Sequence, residues 1–76
     1  MKIECIVKIF DPDISNVLCI AEEFLSFCGT TQKDELTYTF IFQDYKDAKF
    51  FAFRAETIEN VESCSGIPIY NPKYCT

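Results

Sequence analysis

Residues 36–55, LTYTFIFQDYKDAKFFAFRA, decide the fold because they run from an extended pattern directly into a helical one. Up to Phe42 the side chains are mainly aromatic or β-branched and alternate between two faces, which predicts a strand. Both faces carry apolar side chains, so we expect this strand inside a sheet rather than at its edge. One face is expected to hold Leu36, Tyr38, Phe40 and Phe42, and the other Thr37, Thr39 and Ile41.

The residues that follow predict a helix that begins after Asp44. Asp44 suits an N-cap, and Asp47 would place a second carboxylate in the first turn, where the helix dipole favours negative charge. Apolar side chains then recur at helical spacing, at Ala48, Phe51, Ala52, Ala55 and Ile58. In an alternative, residues 49–55 form a strand and residues 43–48 a hairpin turn. The helix is favoured because alanine is a good helix former and the DxxDA sequence is typical of a helix start.

The N-terminal part of the chain predicts a strand followed by a long amphipathic helix. Residues 2–10 alternate, which places Ile3, Cys5, Val7 and Ile9 on one face. Asp11 is expected as the N-cap of the helix, Pro12 as its first residue and Gly29 as the glycine that ends it. The apolar stripe of this helix is predicted at Ile14, Val17, Leu18, Ala21, Phe24, Leu25 and Cys28.

The rest of the chain completes an α+β domain. Residues 30–35 are polar, and part of the segment 29–35 is compatible with an additional edge strand. Residues 63–66 are expected to turn before a short last strand at residues 67–70, which Pro68 restricts to an edge or to its own start. In so short a chain, two helices most economically cover one face of a mostly antiparallel sheet. We therefore predict a single domain over residues 1–76, βαβαβ, or with the additional strand a ferredoxin-like βαββαβ sandwich.

The stretch FIFQDYKDAKFF resembles the third strand and second helix of RNA-recognition domains, in which an aromatic strand leads into a D-x-x-D-A helix start. The resemblance covers about a quarter of the chain and implies the ferredoxin-like topology. Where that family has a basic residue and glycines among its aromatic residues, this sequence has LTYTF at residues 36–40. RNA binding is therefore not inferred from the resemblance.

The residue types present argue against several classes of function. The chain has five cysteines, no histidine and only two glycines. An odd cysteine number without CxxC spacing predicts a cytoplasmic protein with free thiols, in which Cys5 and Cys28 are buried. The sequence contains neither a positioned catalytic base nor a glycine-rich phosphate loop, so we expect no enzymatic activity, no cofactor and no metal site. We also expect no signal peptide and no membrane association, since no apolar run approaches the length of a membrane span.

The negative charge of the chain is concentrated in one region. The net charge is −5, and no lysine or arginine lies between Ile9 and Gln32. Direct binding to nucleic acid is disfavoured, because phosphate affinity comes from cations. A basic protein surface is the partner that such a region fits, although solubility alone would also explain the charge. The predicted partner-binding residues are Asp13, Asn16, Cys19, Glu22, Glu23 and Phe27, with Phe27 along the flank of the first helix.

In size, acidity and lack of catalytic residues, the chain is similar to the small inhibitors that phages and mobile elements make against host nucleic-acid machinery, anti-CRISPR proteins among them. This similarity implies a monomer or weak dimer that occupies the basic surface of a host nucleic-acid-binding protein, as a nucleic-acid mimic. Two alternatives stay open: a ferredoxin-like regulatory module that binds a small ligand, and an assembly subunit.

Thermal unfolding should be insensitive to reductant and to chelator, because this cysteine pattern predicts folding without disulfides or metal. The melting temperature should move by less than about 2 °C with either reagent. In a domain this small, that limit corresponds to a change in unfolding free energy of less than about 0.5 kcal/mol. A fall of about 10 °C with either would contradict the free-thiol interpretation.

Overall fold

The computed structural model describes residues 2–69, which form four strands and two helices in the order βαββαβ. The elements are β1 (Lys2–Ile9), α1 (Ser15–Glu22), β2 (Phe27–Asp34), β3 (Thr37–Phe42), α2 (Tyr45–Ala55) and β4 (Val61–Ile69). All neighbouring strands are antiparallel, and their order in the sheet is β2-β3-β1-β4. This confirms the predicted α+β class and the ferredoxin-like arrangement with its additional strand.

The position of β3 in the sheet confirms the interpretation of the central stretch. It pairs with β1 on one side and with β2 on the other, and Phe40 and Phe42 are fully buried. Leu36 does not join that face, because it lies in the two-residue turn before β3 and is exposed. The edge position of β4 agrees with the presence of Pro68, because proline has no backbone N–H to donate and is tolerated at a sheet edge.

Both helices cover one face of the sheet, and the core lies between the two layers. The sheet contributes the predicted stripe of β1 together with the two phenylalanines of β3. Phe51 of α2 lies between them, with its ring centroid 5.0 Å from those of both Phe40 and Phe42. The Cys5 thiol donates to the carbonyl of Ala48 at 3.6 Å, which joins β1 to α2 inside the core.

The start of α2 is as the sequence predicts. Asp44 is the N-cap and accepts a hydrogen bond from the amide of Lys46 at 2.9 Å. Asp47 lies in the first turn, and its carboxylate also accepts from the amide of Ser26 at 3.3 Å, which ties α2 to the α1–β2 loop. The hairpin alternative for residues 43–55 is therefore wrong. Ile58 lies beyond the end of the helix but still packs, half-buried, on the core.

The first helix is shorter than predicted at its C-terminal end. It ends at Glu22, so Leu25 and Cys28 lie outside it and both are exposed, against the expectation that Cys28 is buried. Gly29 does not end a helix; it lies within β2 with a φ of 155°. Pairing explains the change, because β2 supplies backbone partners to an edge of β3 that would otherwise be unpaired. Apolar spacing alone did not distinguish this strand from a continued helix.

The first helix also starts later than predicted. Asp11 is not its N-cap and Pro12 is not its first residue, because the helix begins at Ser15. The N-cap position is occupied by Ile14, which offers no side-chain acceptor, and the carboxylate of Asp13 binds the amide of Ser15 instead. Residues 10–14 therefore form a separate β1–α1 loop.

The expected turn at residues 63–66 is wrong, because these residues continue β4. They pair with residues 5–8 of β1, and the whole strand runs from Val61 to Ile69. The serines and glycine that suggest a turn are overridden by the free edge of β1, which needs a partner along its length. Tyr70, the predicted last strand residue, lies outside the described residues.

Two phenylalanines on α2 should respond oppositely to truncation. Phe51→Ala is expected to cost about 3–5 kcal/mol of unfolding free energy because it empties a fully buried site. Phe53→Ala, two residues away on the exposed side, should change it by less than about 0.5 kcal/mol. Denaturant unfolding followed by circular dichroism measures both, and equal losses would contradict the facing of α2.

Candidate functional site

The β1–α1 loop is held in place by one side chain from the turn between α2 and β4. Asn60 accepts a hydrogen bond from the amide of Asp11 at 2.8 Å. Its side-chain amide donates to the carbonyls of Asp11 and Asp13, both at 2.9 Å. The Phe10 amide donates to the Asn60 carbonyl at 2.9 Å. These four hydrogen bonds fix the loop to the α2–β4 turn. The loop is therefore held from the sheet side as well as by its connection to α1.

Two aspartates in this loop organise its backbone further. Asp11 accepts from the amide of Asp13 at 3.2 Å, and Asp13 accepts from the Ser15 amide at 2.9 Å and the Ser15 hydroxyl at 2.6 Å. The hydrogen bonds from Ser15 lower the pKa of Asp13, so this carboxylate keeps its charge to lower pH than usual. Both aspartates are exposed, and their turns resemble helix caps more than a metal site. Among residues 2–69, no three His, Cys, Asp or Glu side chains are grouped closely enough to hold a metal ion.

The outer face of α1 carries three of the predicted site residues. Asn16, Cys19 and Glu22 follow one another at a spacing of three and are all exposed. Within the part of the chain that the structure describes, no hydrogen bond or ion pair engages the side chain of Glu22. Its charge is therefore free to act on a partner.

Glu23 differs, because an arginine from α2 neutralises it. Arg54 donates to both carboxylate oxygens of Glu23, at 2.8 and 3.2 Å, and forms the corresponding salt bridge. These bonds lower the pKa of Glu23. The pair is exposed and contributes little to stability, but it removes Glu23 from the uncompensated charge of α1.

Phe27 does not lie along the flank of α1, contrary to the prediction. It opens β2, and its ring is half-buried, 5.3 Å from that of Phe42 and 6.2 Å from that of Phe40. It therefore supports the core from the sheet side. The structure brings together the other predicted site residues on the loop and α1, and leaves Phe27 out.

Folding gathers further carboxylates that the sequence keeps far apart. The last residue of β1 and the first residue of the loop are hydrogen-bonded on opposite sides, since Ile9 donates to the carbonyl of Leu36 and Phe10 to that of Asn60, each at 2.9 Å. The β1–α1 loop, the β2–β3 turn and the start of β4 therefore meet at one end of the sheet. We call this surface the acidic end, and its exposed carboxylates are Asp11, Asp13, Asp34, Glu35, Glu59 and Glu62.

A second surface lies on α2 and was not predicted from the sequence. Phe50 and Phe53 are 61% and 72% exposed, and with Lys46 and Lys49 they line a surface hollow of about 470 Å³. We call these four residues the aromatic–lysine patch. The spacing contained the necessary signal: once Ala48, Phe51 and Ala55 face the core, steps of about 100° per residue turn the patch residues to the other side.

Comparison with known proteins assigns no family to this chain. No family model matches the sequence, and neither a curated protein nor a solved structure shows significant similarity to it. Between residues 2 and 69, neither helix has the length and apolar character required to cross a membrane.

Removal of the Asn60 side chain should loosen the β1–α1 loop. Asn60→Ala deletes three hydrogen bonds to the loop backbone and is expected to lower the unfolding free energy by about 1–2 kcal/mol. The amide of Asp11 should exchange its hydrogen faster. Asn16→Ala, on the exposed face of α1, is the matched control and should stay within about 0.5 kcal/mol. Unchanged exchange at Asp11 would contradict this role of Asn60.

Proposed function

We propose that this chain is a non-enzymatic binding protein that inhibits or modulates a nucleic-acid-handling partner by occupying its basic surface. The observation that carries the proposal is the acidic end, a set of carboxylates from three separate chain segments, with its loop fixed by Asn60. The free carboxylate of Glu22 on α1 adds to the negative charge of the molecule.

The local charge balance favours a basic partner. Among residues 2–69, six carboxylates stand at the acidic end and the neighbouring lysines are Lys8 and Lys33, so the formal charge of these residues is −4. Asp34 and Asp13 are held ionised by hydrogen bonds, from the Leu36 amide and from Ser15, that lower their pKa values. A fixed array of negative charge can occupy a lysine- and arginine-rich groove in which phosphates would otherwise lie.

The helix-free face of the sheet supports a protein partner rather than a nucleic acid. RNA-recognition domains stack bases on aromatic side chains of such a face. Here Phe40 and Phe42 of β3 point into the core between sheet and helices. The positions of β1 and β3 on the opposite face are filled instead by aliphatic, hydroxyl and charged residues: Glu4, Ile6, Lys8, Thr37, Thr39 and Ile41.

The two buried thiols, Cys5 and Cys64, also support binding rather than catalysis. Burial raises the pKa of Cys5 to about 11 and that of Cys64 to about 12, so both stay protonated near neutral pH and are poor nucleophiles. A protein of this type would act by occupancy, as phage inhibitors of host defence such as anti-CRISPR proteins do. Its affinity would depend on electrostatic attraction and therefore on salt.

Affinity capture from the cells that encode the protein tests the proposal. The immobilised wild type should retain a basic nucleic-acid-binding protein, and added DNA or RNA should displace it. Glu59→Lys and Glu62→Lys, both at the acidic end, should each weaken the binding of that protein about tenfold, mainly through slower association. Both are exposed positions, so the fold should be unaffected.

Glu4→Lys is the matched control, because it makes the same charge change on the helix-free face of β1. It should leave the affinity within about twofold, since its distance from the acidic end exceeds roughly one Debye length at 0.15 M salt. A retained protein indifferent to both reversals, to nucleic acid and to salt near 1 M would overturn the proposal. Capture of no protein would favour the small-ligand module instead.

A further inference from the structure

The aromatic–lysine patch of α2 contributes nothing to the core that the fold requires. The inward side of α2 already fills its space with Ala48, Phe51 and Ala55, all at most 2% exposed. Phe50 and Phe53 point away from these residues, one helical turn apart, with most of their surface in water. Two adjacent phenylalanines exposed to this extent form the kind of apolar surface that marks an interaction site.

Among the described residues, the charged side chains that line this hollow are both positive. Lys46 and Lys49 lie at helical spacing beside Phe50 and Phe53 and line the same hollow. The only carboxylate within α2 belongs to Asp47, which is turned toward the α1–β2 loop and accepts from the amide of Ser26. Arg54 is engaged with Glu23. Within Tyr45–Ala55 the outer face is therefore apolar and positive in a chain whose net charge is −5, and the exposed Glu56 follows at the C-cap, three residues after Phe53.

We propose that the aromatic–lysine patch binds an acidic amphipathic segment of a partner protein. Apolar side chains of the segment, three or four residues apart on a helix, would pack against Phe50 and Phe53. Aspartate or glutamate side chains beside them would pair with Lys46 and Lys49. The lysine stems extend the apolar surface while their ammonium groups stay hydrated until the carboxylates arrive.

A second copy of this chain fits the patch less well. At 61% and 72% exposure, Phe50 and Phe53 offer about 270 Å² per copy, taking about 200 Å² for a whole phenylalanine side chain. A stable interface needs about 800 Å² from each partner. Symmetric packing of two patches would also bring Lys46 and Lys49 of both copies onto the same small surface, where their charges repel.

Single-stranded nucleic acid is also a poorer occupant. Aromatic rings with adjacent lysines can stack bases, but proteins that bind this way line a positively charged groove along the strand. Two lysines neutralise two phosphates, and the carboxylates of the surrounding chain repel the others. An acidic segment that ends within the patch avoids this repulsion.

This surface shares no residue with the acidic end, so the inference goes beyond the proposed function and does not rest on it. Together the two surfaces would let one small domain contact a basic and an acidic region at once. Because their residues differ, variants of one surface leave the other unchanged.

Selection from a display library of random peptides tests the proposal, with peptides of about 15 residues, or about four helical turns. The intact protein serves as bait beside its Phe53→Ser variant. Enriched peptides should combine apolar residues at a spacing of three or four with aspartate or glutamate. A labelled synthetic copy should bind the wild type and lose about thirtyfold in affinity with Phe53→Ser, as expected for an interfacial aromatic anchor.

Two controls separate the patch from general stickiness. Phe10→Ser removes a phenylalanine that is 64% exposed outside the patch and should leave peptide affinity within about twofold. Lys46→Glu with Lys49→Glu should weaken the acidic peptide about tenfold or more and favour a peptide with lysines in place of its carboxylates. Circular dichroism confirms that each variant is folded.

Several results would overturn the proposal. These are enrichment of basic or uncharged peptides, enrichment that does not depend on Phe53, an equal loss with Phe10→Ser, and no enrichment at all. Tighter binding of a single-stranded uridine oligonucleotide than of any selected peptide would assign the patch to nucleic acid. Dimerisation at micromolar concentration that Phe53→Ser abolishes would assign it to a second copy.

Discussion

The packing of Phe51 between Phe40 and Phe42 is the contact on which the rest of the structure depends. It fixes α2 over the centre of the sheet, with ring centroids 5.0 Å apart on both sides. A chain of 76 residues buries only about 60–65% of its unfolded surface, so a few large aromatic side chains must supply much of its hydrophobic stabilisation. Phe24 and Phe27 extend the same cluster from the α1–β2 loop and from β2.

Anchoring α2 in this way also determines what it shows to solvent. A helix that turns Ala48, Phe51 and Ala55 inward must turn its residues at 46, 49, 50 and 53 outward, because the 100° rotation per residue leaves no other arrangement. The aromatic–lysine patch is thus a geometrical consequence of the core. What the core does not explain is why the outward positions hold phenylalanine, since polar residues there would serve the fold equally well.

The two candidate surfaces arise from different levels of structure. The patch lies within one helix and is visible in the spacing of neighbouring residues. The acidic end exists only because antiparallel pairing brings residues 10–14, 34–36 and 59–62 to the same end of the sheet. Asn60 then holds the loop that carries two of its carboxylates. A protein with only the positive patch or only the acidic end would suggest one kind of partner. This fold carries both surfaces, and they are separate.

The sequence by itself determined the elements whose local preferences agree with their tertiary setting. The alternation in β1 and β3, the Asp44 cap and the inward stripe of α2 could all be predicted, and with them the α+β class. Most of the predicted site residues proved exposed for the same reason, since they lie on the polar side of α1. Segments whose apolar spacing fitted more than one structure were decided by pairing. Residues 27 and 28 continued a helical pattern but open β2, which pairs with β3, and residues 63–66 suggested a turn but pair with β1. Because Phe27 belongs to β2, it does not lie at the predicted site on α1. The charge of Glu23 is neutralised by Arg54, which lies 31 residues away in the sequence. Backbone hydrogen bonds and ion pairs between distant segments carry no trace in local spacing, so only the tertiary structure could decide them.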